Sequence, residues 1–299
     1  MKILKNTYFQ YFLKILIVFT ALYFVYSRIE NTQNLKIHFK PTELLILLLF
    51  SFLNWFIDVL KWKNLANLLQ KTTLKNAITQ ILISHTLSFI TPNKIGEYGA
   101  KSLFFKSKKQ ALGLTFVGNT YQLFTTILFG CIGLLIMNKY YSLPWIDFKL
   151  IIALLFIFLL TFKLFKNKFL KFLKKRKFYK KIPFNDHLKT IIFSILKYCI
   201  FSNQFYYLLI VFEVSITYTT AIPIIFSTYL LASIIPSLSL FDFLIKGSAA
   251  VYLFQFVGIP AIVIVSITFT SWFLNFAIPA IIGGIYVLRF NPKKSYDSI

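Results

Sequence analysis

Ser84–Phe105 reads SHTLSFITPNKIGEYGAKSLFF, and how this stretch is read decides the fold. It lies in a chain otherwise suited to lipid, yet it holds a proline, two glycines, a glutamate and two lysines. In hydrocarbon every backbone N–H and C=O needs a partner within the protein. A break at Thr91-Pro92-Asn93 is therefore tolerated only where protein or a wet cavity surrounds it. Proline removes a donor and disfavours helical geometry at the residue before it. Thr91 is expected to cap a second helix with Pro92 in its first turn. On that helix Glu97 and Lys101 fall four residues apart, on one face.

The device repeats near the other end of the chain. Ala232–Phe254 reads ASIIPSLSLFDFLIKGSAAVYLF, with Pro236 at the break and Asp242 and Lys246 again four apart. Proline and acid are separated by five positions in the first copy and six in the second, so the match is approximate. Each copy leads through a small-residue stretch (Gly96, Gly99 and Ala100; Gly247, Ser248, Ala249 and Ala250) into a long apolar segment. Two proline-interrupted, charge-bearing segments in corresponding halves point to a transporter-like binding site near the bilayer midplane.

Composition agrees with a membrane protein. Hydrophobic residues make up 58% of the 299 and charged residues 14%, and the mean hydropathy is +0.71. The apolar runs are continuous and do not alternate, which argues for spanning helices over a barrel. The first run, about Tyr11 to Tyr26, lacks a small-x-small cleavage site and is expected to be retained as a span. A formal charge of +24 invites a nucleic-acid reading. The basic residues cluster between apolar runs, however, where the positive-inside rule accounts for them, so no nucleic-acid partner is expected. His38, His85, His187, Cys131 and Cys199 show no metal-ligand spacing. With no phosphate loop and no nucleophile motif either, the chain is expected to use no metal or cofactor and to hold no soluble catalytic domain.

Charge then sets sides. Spans are expected at about Tyr11–Ser27, Glu43–Leu60, Gln110–Met137, Trp145–Phe162, Leu188–Phe212 and Pro260–Leu288. The segment 163–181 holds ten Lys/Arg and no acid, which places it in the cytoplasm. Lys71 and Lys75 before the first broken element, and Lys106, Lys108 and Lys109 after it, make that element enter and leave on the cytoplasmic side. The second, about Ala221–Gly258, enters from outside through Glu213–Thr220. Both termini are cytoplasmic, the membrane being the inner (plasma) membrane. The fold expected is thus all-α, one integral membrane domain over 1–299. It has six full spans and two re-entrant elements forming an inverted repeat of 11–162 and 188–290, with eight full spans as the alternative.

Four stretches carry a family resemblance: NWFIDVLKWK (Asn54–Lys63), TPNKIGEYGAKSL (Thr91–Leu103), VGNTYQLFTTILFG (Val117–Gly130) and IIPSLSLFDFLIKGSAAVYLF (Ile234–Phe254). In these the chain is similar to the lysylphosphatidylglycerol synthase transmembrane-region family of flippase-like membrane proteins. The similarity spans roughly residues 10 to 290 and is most specific at TPNKIGEY. It implies translocation of a polar-headed, phospho- or polyprenyl-linked lipid between leaflets, without lipid synthesis. Asn93 and Gln122 stand where many members carry glycine and arginine. Ser239-Leu240-Phe241-Asp242 replaces the usual Gly-x-Glu run, which implies an altered headgroup preference or a weakened second half-site.

The candidate headgroup-binding residues are Pro92, Lys94, Glu97, Lys101, Pro236, Asp242 and Lys246, with Asp58, His85 and Gln122 as secondary candidates. Lys94 and Lys101 are the phosphate ligands in this reading, and the partners are anionic or zwitterionic membrane lipids. The competing expectation is structural. Glu97–Lys101 is then a solvated pair at the interface, contributing a few tenths of a kcal/mol; in the site reading Glu97→Gln impairs function with little loss of folded protein, and loss of the folded protein would make Glu97 structural. Asp58 pairs with Lys61 or Lys63 at the membrane edge, His85 is a hydrogen-bonded interior histidine, and Asn54 and Trp62 are packing and interface-belt residues. Against it stands the cost of an ionisable group in a span, ~2.5–3.5 kcal/mol at the helix centre. An enzyme acting on a lipid-linked substrate, with Glu97 or Asp242 as base, and a non-transporting scaffold are the other function classes.

Overall fold

A computed structural model describes residues 39–89, 91, 94–141, 182–235 and 239–289, together with Tyr23, Tyr26 and Ser27. The expected spans at Trp145–Phe162 and over most of Tyr11–Ser27, the basic segment 163–181, and Pro92 and Pro236 lie outside the described residues. What is described is all-helical, with no strand. In chain order the helices are α1 (Pro41–Ala66), α2 (Leu74–Phe89), α3 (Ile95–Ser102), α4 (Lys108–Tyr141), α5 (Phe184–Val211), α6 (Tyr218–Ile234), α7 (Asp242–Phe254), α8 (Ala261–Trp272) and α9 (Ile278–Arg289). A π-helical turn, Phe273–Ala277, joins α8 to α9 as one rod.

Among the described residues, four segments are long and apolar enough to cross a membrane: α1, α4, Ser239–Val257 and Ala261–Arg289. Their outward faces carry Leu45, Leu49 and Phe52 on α1, Leu123 and Ile132 on α4, and Ile281 and Leu288 on α9. Gln80, Thr190, Ser194, Gln204 and Ser227 are fully buried instead. An apolar outer face over an interior that also buries polar side chains suits a lipid surround. The 28-residue α5 is long enough to cross but is not among the four. Its buried stripe of Thr190, Ser194, Tyr198, Ser202 and Gln204 lowers its hydropathy.

Helices α1 and α5 form an antiparallel pair at the centre. The Asn64 amide reaches the Asp186 carbonyl (3.3 Å) where α1 ends and α5 begins. At the opposite end Gln204 donates to the Leu47 carbonyl (3.2 Å) and Ser51 (2.7 Å), and Phe39 meets Phe212 at the tip. Lys71, Lys75 and Lys106 mark the first end as the basic one.

The two broken elements approach this pair from opposite ends. Gln70, just before α2, donates to the carbonyl of Phe104, just after α3, so the first element starts and finishes at the basic end. The second starts at the far end, where Tyr218 donates to Asn203 (3.1 Å). It returns there, with Phe256 beside Tyr141, the last residue of α4. From 1.5 Å per residue, α2 rises ~24 Å and α3 ~12 Å, each short of the ~30 Å hydrocarbon layer.

Packing in one half has its counterpart in the other. Helix α4 packs on α6 as α9 packs on α2; α3 lies against α4 as α7 lies against α8; α1 touches α2 as α5 touches α6. Both interlocking contacts are antiparallel and both are closed by a glycine. Gly133 faces the Pro223 carbonyl and Gly283 the Leu82 carbonyl, each too close to admit a Cβ. Small residues let helix backbones meet where lipid supplies no hydrophobic drive.

Two apolar clusters result. Val59, Trp62, Ile81, Phe105 and Leu114 fill the basic end; Leu47, Met137, Phe205, Ile224, Phe254 and Ile264 fill the far end. Polar side chains collect between them. Several boundaries differ from the sequence expectation. Helix α4 continues through Asn138–Tyr141, expected as loop. Helix α3 begins at Ile95 after Lys94 in a left-handed conformation (φ 56°). Thr91 does cap it, from further back: its Oγ1 accepts from the Gly96 N–H (2.8 Å) while donating to the Leu87 carbonyl (3.0 Å).

Candidate functional site

Between the two apolar clusters lies a cavity of about 570 Å³. It adjoins a lobe of about 320 Å³ toward the second half. The first broken element contributes His85, Ser88, Lys94, Glu97 and Tyr98, and the second contributes Ala232, Ser233, Ile235, Ser239 and Asp242. Lys94, Gln122, Lys197, Ser233 and Asp242 wall both spaces. The walls come from α1 through α7 and the π-helical turn, so neither half forms the cavity alone.

Each carboxylate in the wall is held by lysine. Glu97 Oε1 meets Lys101 Nζ at 2.5 Å, and Glu97 Oε2 accepts from the Asn119 amide (3.3 Å), which also reaches the Tyr98 hydroxyl (3.2 Å). Asp58 is shared by Lys61 (3.3 Å) and Lys197 (3.0 Å). Asp242 meets Lys246 at 2.6 Å. Lys61 also donates to Gln122 Oε1 (3.2 Å), whose amide nitrogen reaches the Ser194 carbonyl (3.4 Å). These contacts tie α1, α4 and α5 together across the polar layer. Lys94 has no acidic partner among the described residues, and its ammonium lies 5.9 Å from the Phe276 ring centre.

The structural readings that competed with a site change accordingly. Glu97 and Lys101 are not a solvated surface pair: their side chains are 16% and 6% exposed. Trp62 is not an interface-belt residue. It is buried, donates to Gln80 (2.6 Å), and places its ring 4.5 Å from the Lys101 ammonium. That cover, with the Glu97 pairing, sets Lys101 behind Glu97 and outside the cavity lining, where the sequence reading expected a phosphate ligand. Asp58 pairs with Lys61 as expected, but inside the bundle and not at its edge, with 13% of its side chain exposed. His85 forms no hydrogen bond among the described residues and stands edge-on to Phe276 (5.6 Å) while lining the cavity.

Of the expected residues the structure brings Lys94, Glu97, Asp242, Asp58, His85 and Gln122 to the cavity, Lys246 to the adjoining lobe, and Lys101 behind Glu97. The sequence reading passed over Lys197, the second partner of Asp58. A signal was present: one lysine between Leu196 and Tyr198 inside an apolar segment, where an ionisable residue is costly. A second polar chain was also missed. Asn275, in the π-helical turn, donates to Gln204 (2.6 Å) and accepts from Asn54 (2.7 Å), joining α1, α5 and the last rod beside the smaller lobe. Single-turn π segments often mark working positions in helices.

Compared with protein-family models, with curated proteins and with solved structures, the chain matches none.

Proposed function

We propose that this chain moves a polar-headed lipid between the leaflets of the inner membrane, by alternating access to the cavity between its two broken elements. The observation that carries the reading is the shared cavity. Charged residues from two interrupted segments, entering from opposite ends of the bundle, line one space. In this reading the halves form an inverted repeat, with the two short segments re-entrant and the remaining spans crossing fully. The matched helix contacts and the return of each element to its own end support that arrangement. The basic end faces the cytoplasm by the positive-inside rule, which also places both termini there. The reading accords with the flippase-like family that the motifs resemble.

The wall suits binding better than proton abstraction. All three cavity carboxylates are occupied by lysine, so none stands free as a general base. Lysine is a compact, mobile point charge, able to hold a phosphate and to release it as the wall rearranges. The test is leaflet exchange of labelled phospholipids in liposomes holding the purified chain, with a membrane-impermeant quencher reading the outer leaflet. Wild type should exchange lipid well above protein-free vesicles. The paired variant Lys94→Asn/Lys197→Gln, which removes the two lysines that wall both spaces and leaves each cavity acid a lysine partner, should stay folded and lose exchange. Wild-type exchange no faster than bare vesicles would reject transport and leave the scaffold and enzyme classes.

A further inference from the structure

The charges around the cavity do not cancel. Among the described residues, the wall of both spaces and the pair behind Glu97 hold five lysines (Lys61, Lys94, Lys101, Lys197 and Lys246) against three acids (Asp58, Glu97 and Asp242). The residues at the two breaks, Ile90, Pro92, Asn93, Pro236, Ser237 and Leu238, add no charge. Two positive charges are left over, and geometry says where. Lys101 and Lys246 each have an acid of their own. Asp58 serves two lysines, one of which, Lys61, also has Gln122 and is 7% exposed at its side chain. The other, Lys197, is 20% exposed. Lys94 has no acid. Lys94 and Lys197 are also the two surplus lysines that wall both spaces, so the excess sits where the spaces join.

We propose that the cavity takes a phosphomonoester-headed lipid, with Lys94 and Lys197 as the two lysines that hold its phosphate. Charge matching is the reason. A phosphomonoester carries about −1.5 to −2 charge near neutral pH, which cancels the excess. A phosphodiester carries one negative charge and leaves one lysine uncompensated; a zwitterionic head leaves both. Uncompensated charge withdrawn from water is costly, while hydrogen bonds between ionised partners are the strong ones. The inference rests on the lipid-transport reading, and it names the substrate class of that site.

The test is calorimetric binding to the full chain in detergent at neutral pH, with three soluble probes: short-chain phosphatidic acid, short-chain phosphatidylglycerol and inorganic phosphate. Phosphatidic acid should bind on the order of tenfold or more tighter than phosphatidylglycerol, the worth of one added charge-assisted hydrogen bond. In Lys94→Asn/Lys197→Gln the ratio should fall to about one. Asparagine is chosen because it tolerates the left-handed backbone of residue 94, and Asp58 keeps Lys61 when Lys197 is lost. Equal binding of the two lipids to wild type would overturn the inference without any variant. Inorganic phosphate binding as tightly as phosphatidic acid would overturn its lipid part and assign the cavity to a soluble phosphate. Leaflet exchange separates the two claims. Exchange without headgroup preference rejects the monoester and keeps transport; preference without exchange rejects transport and keeps the headgroup.

Discussion

In the first broken element the charged pair is sealed: Lys101 lies under Trp62, and Glu97 is held from two sides by Lys101 and Asn119. In the second, Lys246 and Asp242 keep 35% and 23% of their side chains exposed, and no aromatic ring covers the lysine among the described contacts. The breaks differ in the same sense. A Cβ on Gly96, at the start of α3, would meet the Leu87 carbonyl and Thr91, whereas one on Gly247, within α7, would meet the Thr268 hydroxyl alone, a tight contact with one side-chain atom. The first element is therefore the more tightly packed of the two. In the proposed transport reading that makes the second the side with freedom to rearrange.

That contrast can be broken most forcefully at Glu97. Removing one partner of a buried pair strands the other, so Glu97→Gln should destabilise the chain by about 3–5 kcal/mol. Thermal unfolding in detergent checks this, and an unchanged transition would show that Lys101 finds water after all. Next in size is the glycine at the first break. A Cβ at Gly96 meets backbone that cannot yield cheaply, so Gly96→Ala should cost about 1–3 kcal/mol, the usual range for overpacking. Gly247→Ala would bring its Cβ within 3.1 Å of one side-chain atom, the Thr268 hydroxyl, and gain about 0.5–1 kcal/mol of helix preference, so its net cost should fall below that of Gly96→Ala. Equal costs at the two glycines would remove the contrast. The smallest effect belongs to Asp242→Asn. Its pair is water-accessible, so the loss should be under about 1 kcal/mol, and lipid exchange should fall more than stability does.

The outline of this arrangement was legible in the sequence because membranes make certain residues expensive. Proline, asparagine and paired charges inside apolar runs are tolerated only in protected places, which exposed both broken elements. Basic flanks indicated the end from which each enters. What stayed hidden depends on partners distant in the chain. The cover on Lys101 comes from Trp62 on α1, and Lys197 belongs with Asp58 on a helix of the other half. Spacing along one helix reveals i,i+4 pairs and nothing of such cross-helix ones. The tight contacts at Gly133 and Gly283 were invisible for the same reason, since a glycine in an apolar run does not say which carbonyl approaches it. The helical run continuing through Tyr141 and the π turn around Asn275 depend on packing that no local pattern encodes.

The central claim is that lipid passes through the one cavity that both elements line, and obstruction tests it most directly. Ser233 is an exposed residue of α6 that lines both the main cavity and its adjoining lobe, and its hydroxyl bonds only its own helix, at the Leu230 carbonyl (2.7 Å). Ser233→Trp sets a large side chain where the two spaces join and leaves every ion-paired residue itself unchanged. Leaflet exchange of labelled phospholipid should drop to the protein-free rate while the thermal transition stays within a few degrees of wild type, as expected for a change of under about 1 kcal/mol. Exchange at the wild-type rate in a folded, cavity-blocked chain would contradict the account.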